Sequence, residues 1–125
     1  MKKTINTDQA PKAIGTYSQA VFAGDFLYVS GQIGMSAESA ELVSSDFKDQ
    51  TIQTFKNIQA ILTEADLDFS NIIKMNVSLL DMQNFPILNE VMADFVSEPY
   101  PARAAVAVKQ LPKGAEVEIE VIAHI

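Results

Sequence analysis

The chain contains no cysteine. Disulfides, thiolate metal sites and cysteine nucleophiles are therefore excluded. It contains a single histidine, His124. A lone histidine cannot build a multi-histidine zinc site, and no His-Glu-x-x-His pattern is present, so His124 reads as structural. There is no Gly-x-Gly-x-x-Gly and no Walker-type phosphate loop, so a nucleotide cofactor has no signature. Positive charge is scarce: 9 basic residues stand against 16 acidic ones, for a net charge of -7. That balance argues against binding a nucleic-acid backbone or an anionic membrane surface. No apolar run approaches membrane-spanning length, and Met1-Lys2-Lys3-Thr4-Ile5 has no apolar segment behind its lysines. The expectation is a soluble cytoplasmic protein. The sequon Asn76-Val77-Ser78 then carries no glycosylation reading.

What is present is ordinary globular composition, with 48% hydrophobic residues over 125 positions. That length suits one domain, 1–125, with a real core. Residues 2–6 could form a short edge strand. Residues 17–23 and 26–32 read as a hairpin about Gly24-Asp25. In its second strand Phe26, Tyr28 and Ser30 share one face, and Leu27, Val29 and Gly31 the other. Phe47, Thr51, Phe55, Ile58, Leu62 and Ala65 follow helical spacing, with Asp46 as N-cap. Residues 72–80 alternate, putting Ile73, Met75, Val77 and Leu79 on one side. Leu88, Val91, Met92 and Phe95 mark a second helix over 84–96, with Pro86 in its first turn. Residues 103–108 and 117–124 read as two last strands. The pattern predicts an α+β fold of about six strands and two helices. Two helices cover one face of such a sheet; the other face keeps apolar residues, which points to homo-oligomerisation.

Arg103 is the only arginine. It stands between Pro101 and the run Ala104-Ala105-Val106-Ala107-Val108, which reads as a short buried strand. A guanidinium is costly to bury without an anion. Its planar fork suits a carboxylate, so one reading is a receptor for a carboxylate ligand. The other is an internal ion pair with one of the 16 acidic residues. The strand pattern alone favours the ion pair. Glu118 and Glu120 share a face of the last strand. A hairpin of the last two strands would bring a glutamate near Arg103, either as a charge pair or as a carboxylate that positions or deprotonates water. Tyr17 reads as starting a strand after a glycine loop, and Asn89 as a polar residue within the second helix.

Taken in order, these residues resemble the RidA (YjgF) family. The resemblance spans Ala10-Pro11, Ala13-Ile14-Gly15-Thr16-Tyr17-Ser18-Gln19-Ala20, Ser30-Gly31-Gln32-Ile33, Phe85 to Asn89, Pro101-Ala102-Arg103, Leu111-Pro112-Lys113 and residues 117–123. It implies a chorismate-mutase-like fold, a mixed sheet with two helices on one face, assembled as a homotrimer with ligand sites in clefts between subunits. It implies hydrolysis of reactive enamines and imines, such as 2-aminoacrylate, 2-iminopropanoate and 2-iminobutanoate, to 2-oxo acids and ammonia, without cofactor or metal. Carried over by position, Arg103 matches the carboxylate-binding arginine and Glu118 the glutamate of the catalytic water. Gly31 matches a backbone contact to the ligand beside Ser30, and Tyr17 and Asn89 match cleft residues. Glu120 matches a second acidic position whose role stays open. Two departures bear on substrate range. Ala105 replaces a frequent cysteine in the pocket wall, and Thr16 replaces a frequent proline before the tyrosine. The alternative is a non-catalytic trimer that captures small carboxylates in the same cleft.

Overall fold

The computed structural model describes residues 2–125. In chain order the elements are β1 (Lys3–Ile5), β2 (Ala20–Ala23), β3 (Phe26–Gln32), α1 (Phe47–Glu64), β4 (Ile72–Leu79), α2 (Phe85–Phe95), β5 (Ala102–Ala107) and β6 (Val117–His124). The strands form one sheet in the order β1-β2-β3-β6-β4-β5. Only β4 and β5 run parallel, joined through α2, so the sheet is mixed. Among the described residues no helix is long and apolar enough to cross a membrane.

The helices form where the sequence says they should. Asp46 caps α1 by accepting from the Asp49 amide, and Pro86 lies in the first turn of α2, where its missing N–H costs nothing. Phe55, Ile58, Ile61 and Leu62 of α1 and Leu88 and Val91 of α2 are buried, and they pack on Leu27, Val29, Met75, Val77, Ile119 and Val121 of the sheet. Both helices thus cover one sheet face. The opposite face stays open, with Phe26 38%, Tyr28 48%, Ile73 45% and Val106 53% exposed. So large an apolar area on a sheet is unusual for a surface that meets only water.

Four expectations fail. The last two strands do not pair: β6 lies between β3 and β4, and β5 is the edge, bonded to β4 alone. The β4–α2–β5 crossover sets β5 beside β4 at the edge, and the chain then returns across β4 to β6, so sequence proximity misleads here. The Arg103 strand is not buried, since Ala102, Arg103 and Ala104 are exposed at that edge. Tyr17 lies in a loop, because β2 starts only at Ala20. Finally, bulges break two alternation patterns. One between Val29 and Gln32 turns Gly31 outward and buries Gln32, and one after Ile72 buries Ile72 and exposes Ile73.

Candidate active site

The predicted residues fall into two groups that do not touch within one chain. The first surrounds Arg103. Register places Arg103 opposite Met75, on the helix-covered side of the sheet edge. From there its side chain reaches α2. Its Nη1 donates to Asn89 Oδ1 at 2.7 Å and to Met92 Sδ at 3.4 Å, and its guanidinium carbon lies 4.9 Å from the centre of the Phe85 ring. Phe85, Asn89 and Met92 are spaced four and three apart, so one face of α2 presents all three. That spacing was the available signal for Phe85 and Met92, which the sequence reading missed.

No carboxylate neutralises Arg103. The one ion pair among the described residues joins Lys48 and Glu90 across the helices, at 3.1 Å. The internal ion pair that the strand pattern favoured is therefore absent among the described residues. Arg103 rests instead on a neutral amide, a thioether and a ring face. All three fix its position and leave its charge intact. With Nη1 engaged, the Nε and Nη2 donors form a free fork of the geometry a carboxylate accepts. The cleft beside it, about 430 Å³, is also lined by Tyr100 and Pro101. Ala105 is not among its lining residues; it is half-buried against the core.

The second group surrounds Glu118 on the open face. Tyr17, Ser30, Gly31, Glu118 and Glu120 line a cleft of about 650 Å³, together with Lys12 and Lys113. The bulge in β3 creates it by turning Gly31 toward Glu118. A Cβ built on Gly31 would lie 2.8 Å from the Glu118 carboxyl carbon, so only glycine admits the carboxylate at this place. Burial, and secondarily the nearby Glu120 charge, raise the Glu118 pKa above its ordinary value. Glu120 itself accepts from Asn76 Nδ2 at 3.1 Å. A half-buried carboxylate with a raised pKa is a stronger base than a free one, as activation of water requires.

The remaining residues of this group shape the cleft. Tyr17 projects from the loop and is 54% exposed. Gly15, two residues before it, has φ +123°, which favours glycine. The Ser30 hydroxyl is committed within the chain, donating to the Ser18 carbonyl at 2.6 Å, so toward a ligand it can only accept. Lys12 was not singled out in the sequence and Lys113 entered only within the motif Leu111-Pro112-Lys113, since nothing marks a surface lysine as facing a cleft.

The chain is similar to known proteins over almost its whole length. The family model described as Endoribonuclease L-PSP matches residues 7–125. A RutC family protein of Pyrococcus horikoshii is 48% identical over 124 residues, covering 99% of this chain and 98% of its own. The 2-iminobutanoate/2-iminopropanoate deaminase of Dermatophagoides farinae is 42% identical over 121 residues, covering 97% of this chain and 94% of its own. The crystal structure of RidA from the Antarctic bacterium Psychrobacter superposes with a TM-score of 0.95 at 53% identity, covering 98% of this chain and 99% of the other.

Proposed function

This chain belongs to the Endoribonuclease L-PSP family, the RidA (YjgF) family, and on that premise we propose that it hydrolyses 2-iminobutanoate and 2-iminopropanoate to 2-oxo acids and ammonia. The family includes proteins named for that deamination, which supports the reaction class. The observation that carries the reading to this chain is the un-neutralised Arg103, held on neutral partners with its carboxylate fork free.

Within one chain Arg103 and Glu118 lie on opposite sides of the sheet, so one copy supplies two halves of a site. The proposed working unit is a homotrimer in which the Arg103 cleft of one subunit meets the Glu118 cleft of the next. The exposed apolar face of the sheet supports such an assembly. In that site Arg103 binds the substrate carboxylate. Glu118 takes a proton from water as the water oxygen bonds to the iminium carbon, and the C=N π pair moves to nitrogen. Glu118 returns the proton to nitrogen, the carbinolamine loses ammonia, and its hydroxyl proton leaves as the carbonyl forms. The balance is R–C(=NH₂⁺)–COO⁻ plus water giving R–CO–COO⁻ plus NH₄⁺. The iminium is already electrophilic, so positioning and charge placement supply most of the acceleration. The family model's descriptive name speaks of RNA cleavage; a net charge of -7 argues against an RNA-backbone ligand here.

The test is a coupled assay. Threonine dehydratase generates 2-iminobutanoate, and semicarbazide traps what escapes hydrolysis. Wild type should suppress semicarbazone formation and Arg103→Ala should not, while both keep the same oligomeric state by light scattering. No suppression by wild type would reject the deaminase reading and leave a carboxylate-binding protein.

A further inference from the structure

Gln19 is 2% exposed, yet it carries a full amide. Its Oε1 accepts from the Thr7 amide at 2.7 Å. Its Nε2 donates to the Thr7 carbonyl at 3.0 Å and to the Pro11 carbonyl at 2.8 Å, with the Ala10 carbonyl at 3.5 Å. One side chain therefore satisfies backbone groups at both ends of a stretch that forms no strand or helix. Beyond it, residues 12–17 make no hydrogen bond to the rest of the fold among the described residues, until Ser18 accepts from Ser30. The loop that carries Tyr17 is thus pinned at two points. Gln19 holds Pro11, and Ser30 holds Ser18.

The same residue also faces the chemistry. Its backbone carbonyl accepts from the Ser30 amide at 2.9 Å, and Ser30 precedes Gly31, on which Glu118 rests. Gln19 also lines the Glu118 cleft. We propose that Gln19 is a positioning residue: its buried amide latches residues 7–17 onto β2 and β3 and so sets where Tyr17 stands over the cleft. Glutamine suits the task because one acceptor and two donors meet one N–H and two carbonyls at once. Leaving those carbonyls unpaired in a buried place is costly, so the latch closes firmly when it is complete.

The kinetic arm of the test rests on the deaminase reading; the proteolytic arm does not. Gln19→Met keeps the length and removes every side-chain hydrogen bond. Trypsin should then cut after Lys12 about tenfold or more faster than in wild type, because local opening, not global unfolding, exposes that bond. Ile58→Val, a destabilising core change away from this loop, should leave this cut unchanged. In the deaminase assay Gln19→Met should raise KM about tenfold while kcat falls less than about threefold, the signature of a displaced binding wall. Should the methionine variant fail to fold, Gln19→Glu carries the test. It retains the acceptor for the Thr7 amide and turns a charge on the Pro11 carbonyl, so the Lys12 cut should again accelerate. An unchanged cut in the folded variant, acceleration shared by Ile58→Val, or equal losses in KM and kcat would each overturn the latch. Absence of deamination by wild type would strike the kinetic arm alone.

Discussion

The two clefts are built by opposite means. The Arg103 cleft stands on the edge strand β5 and takes its shape from α2, whose Phe85, Asn89 and Met92 hold the guanidinium without neutralising it. The Glu118 cleft stands on central strands β3 and β6 and takes its shape from a backbone irregularity, the bulge that turns Gly31 outward. One cleft preserves a charge; the other perturbs one, since burial raises the Glu118 pKa. An anchor for an anion needs a full positive charge with donors to spare. A base for water needs a carboxylate made less comfortable in its ionised form. The sheet keeps these demands apart within one chain, so neither environment spoils the other.

The sharpest break of this division is complementation. Arg103→Ala and Glu118→Gln should each lower kcat/KM by about a thousandfold, the loss of a charge-assisted bidentate anchor in one and of the base in the other. Co-refolded in equal amounts, the two inactive variants should regain activity, because about one quarter of the clefts in a mixed trimer draw Arg103 and Glu118 from intact halves. Mixed samples as inactive as their parents would place both halves of each site in one subunit or deny the trimer.

A pair of glycines sharpens the comparison next. Gly31→Ala meets only the flexible end of Glu118, at 2.8 Å, whereas Gly34→Ala meets the α1 backbone at Gln50 Cα, at 2.6 Å. The first should cost about tenfold to a hundredfold in kcat with little change in melting temperature. The second should cost about 1–3 kcal/mol of stability, because a helix must shift. Urea denaturation beside steady-state kinetics separates them; the reverse pattern would mean that Gly31 serves the fold and not the carboxylate.

The smallest effect follows from Glu118 itself. Its folded pKa lies above the ordinary 4.5. The native state therefore holds this proton more tightly than the unfolded chain, and the associated stability is full below that value and lost as pH rises through the folded pKa. Glu118→Gln should melt with wild type at pH 4 and about 1–3 °C above it at pH 8, at matched protein concentration. Over the same range wild-type kcat/KM should fall on acidification as the base protonates. A variant that melts lower at pH 8 would show that ionised Glu118 is stabilising.

Helix faces, the Asp46 cap, the Gly24 turn and the alternation of β6 were legible in the sequence because each depends on residues within a few positions of one another. Composition excluded thiol chemistry, and a lone arginine drew attention to its own position. The family motifs named Glu118, Gly31, Tyr17 and Asn89 as site residues. Two bulges were not legible, because an extra residue in one strand is defined only against the register of its partner. Nor was the Gln19 latch, since a buried glutamine and an exposed one look alike in a chain. The strand order was the largest decision left to tertiary structure. Nothing local says that β6 inserts between β3 and β4 while β5 takes the edge. That placement is a balance of non-local pairing and burial. It alone put Arg103 on an exposed rim and Glu118 across the sheet from it, the separation on which the proposed shared site rests.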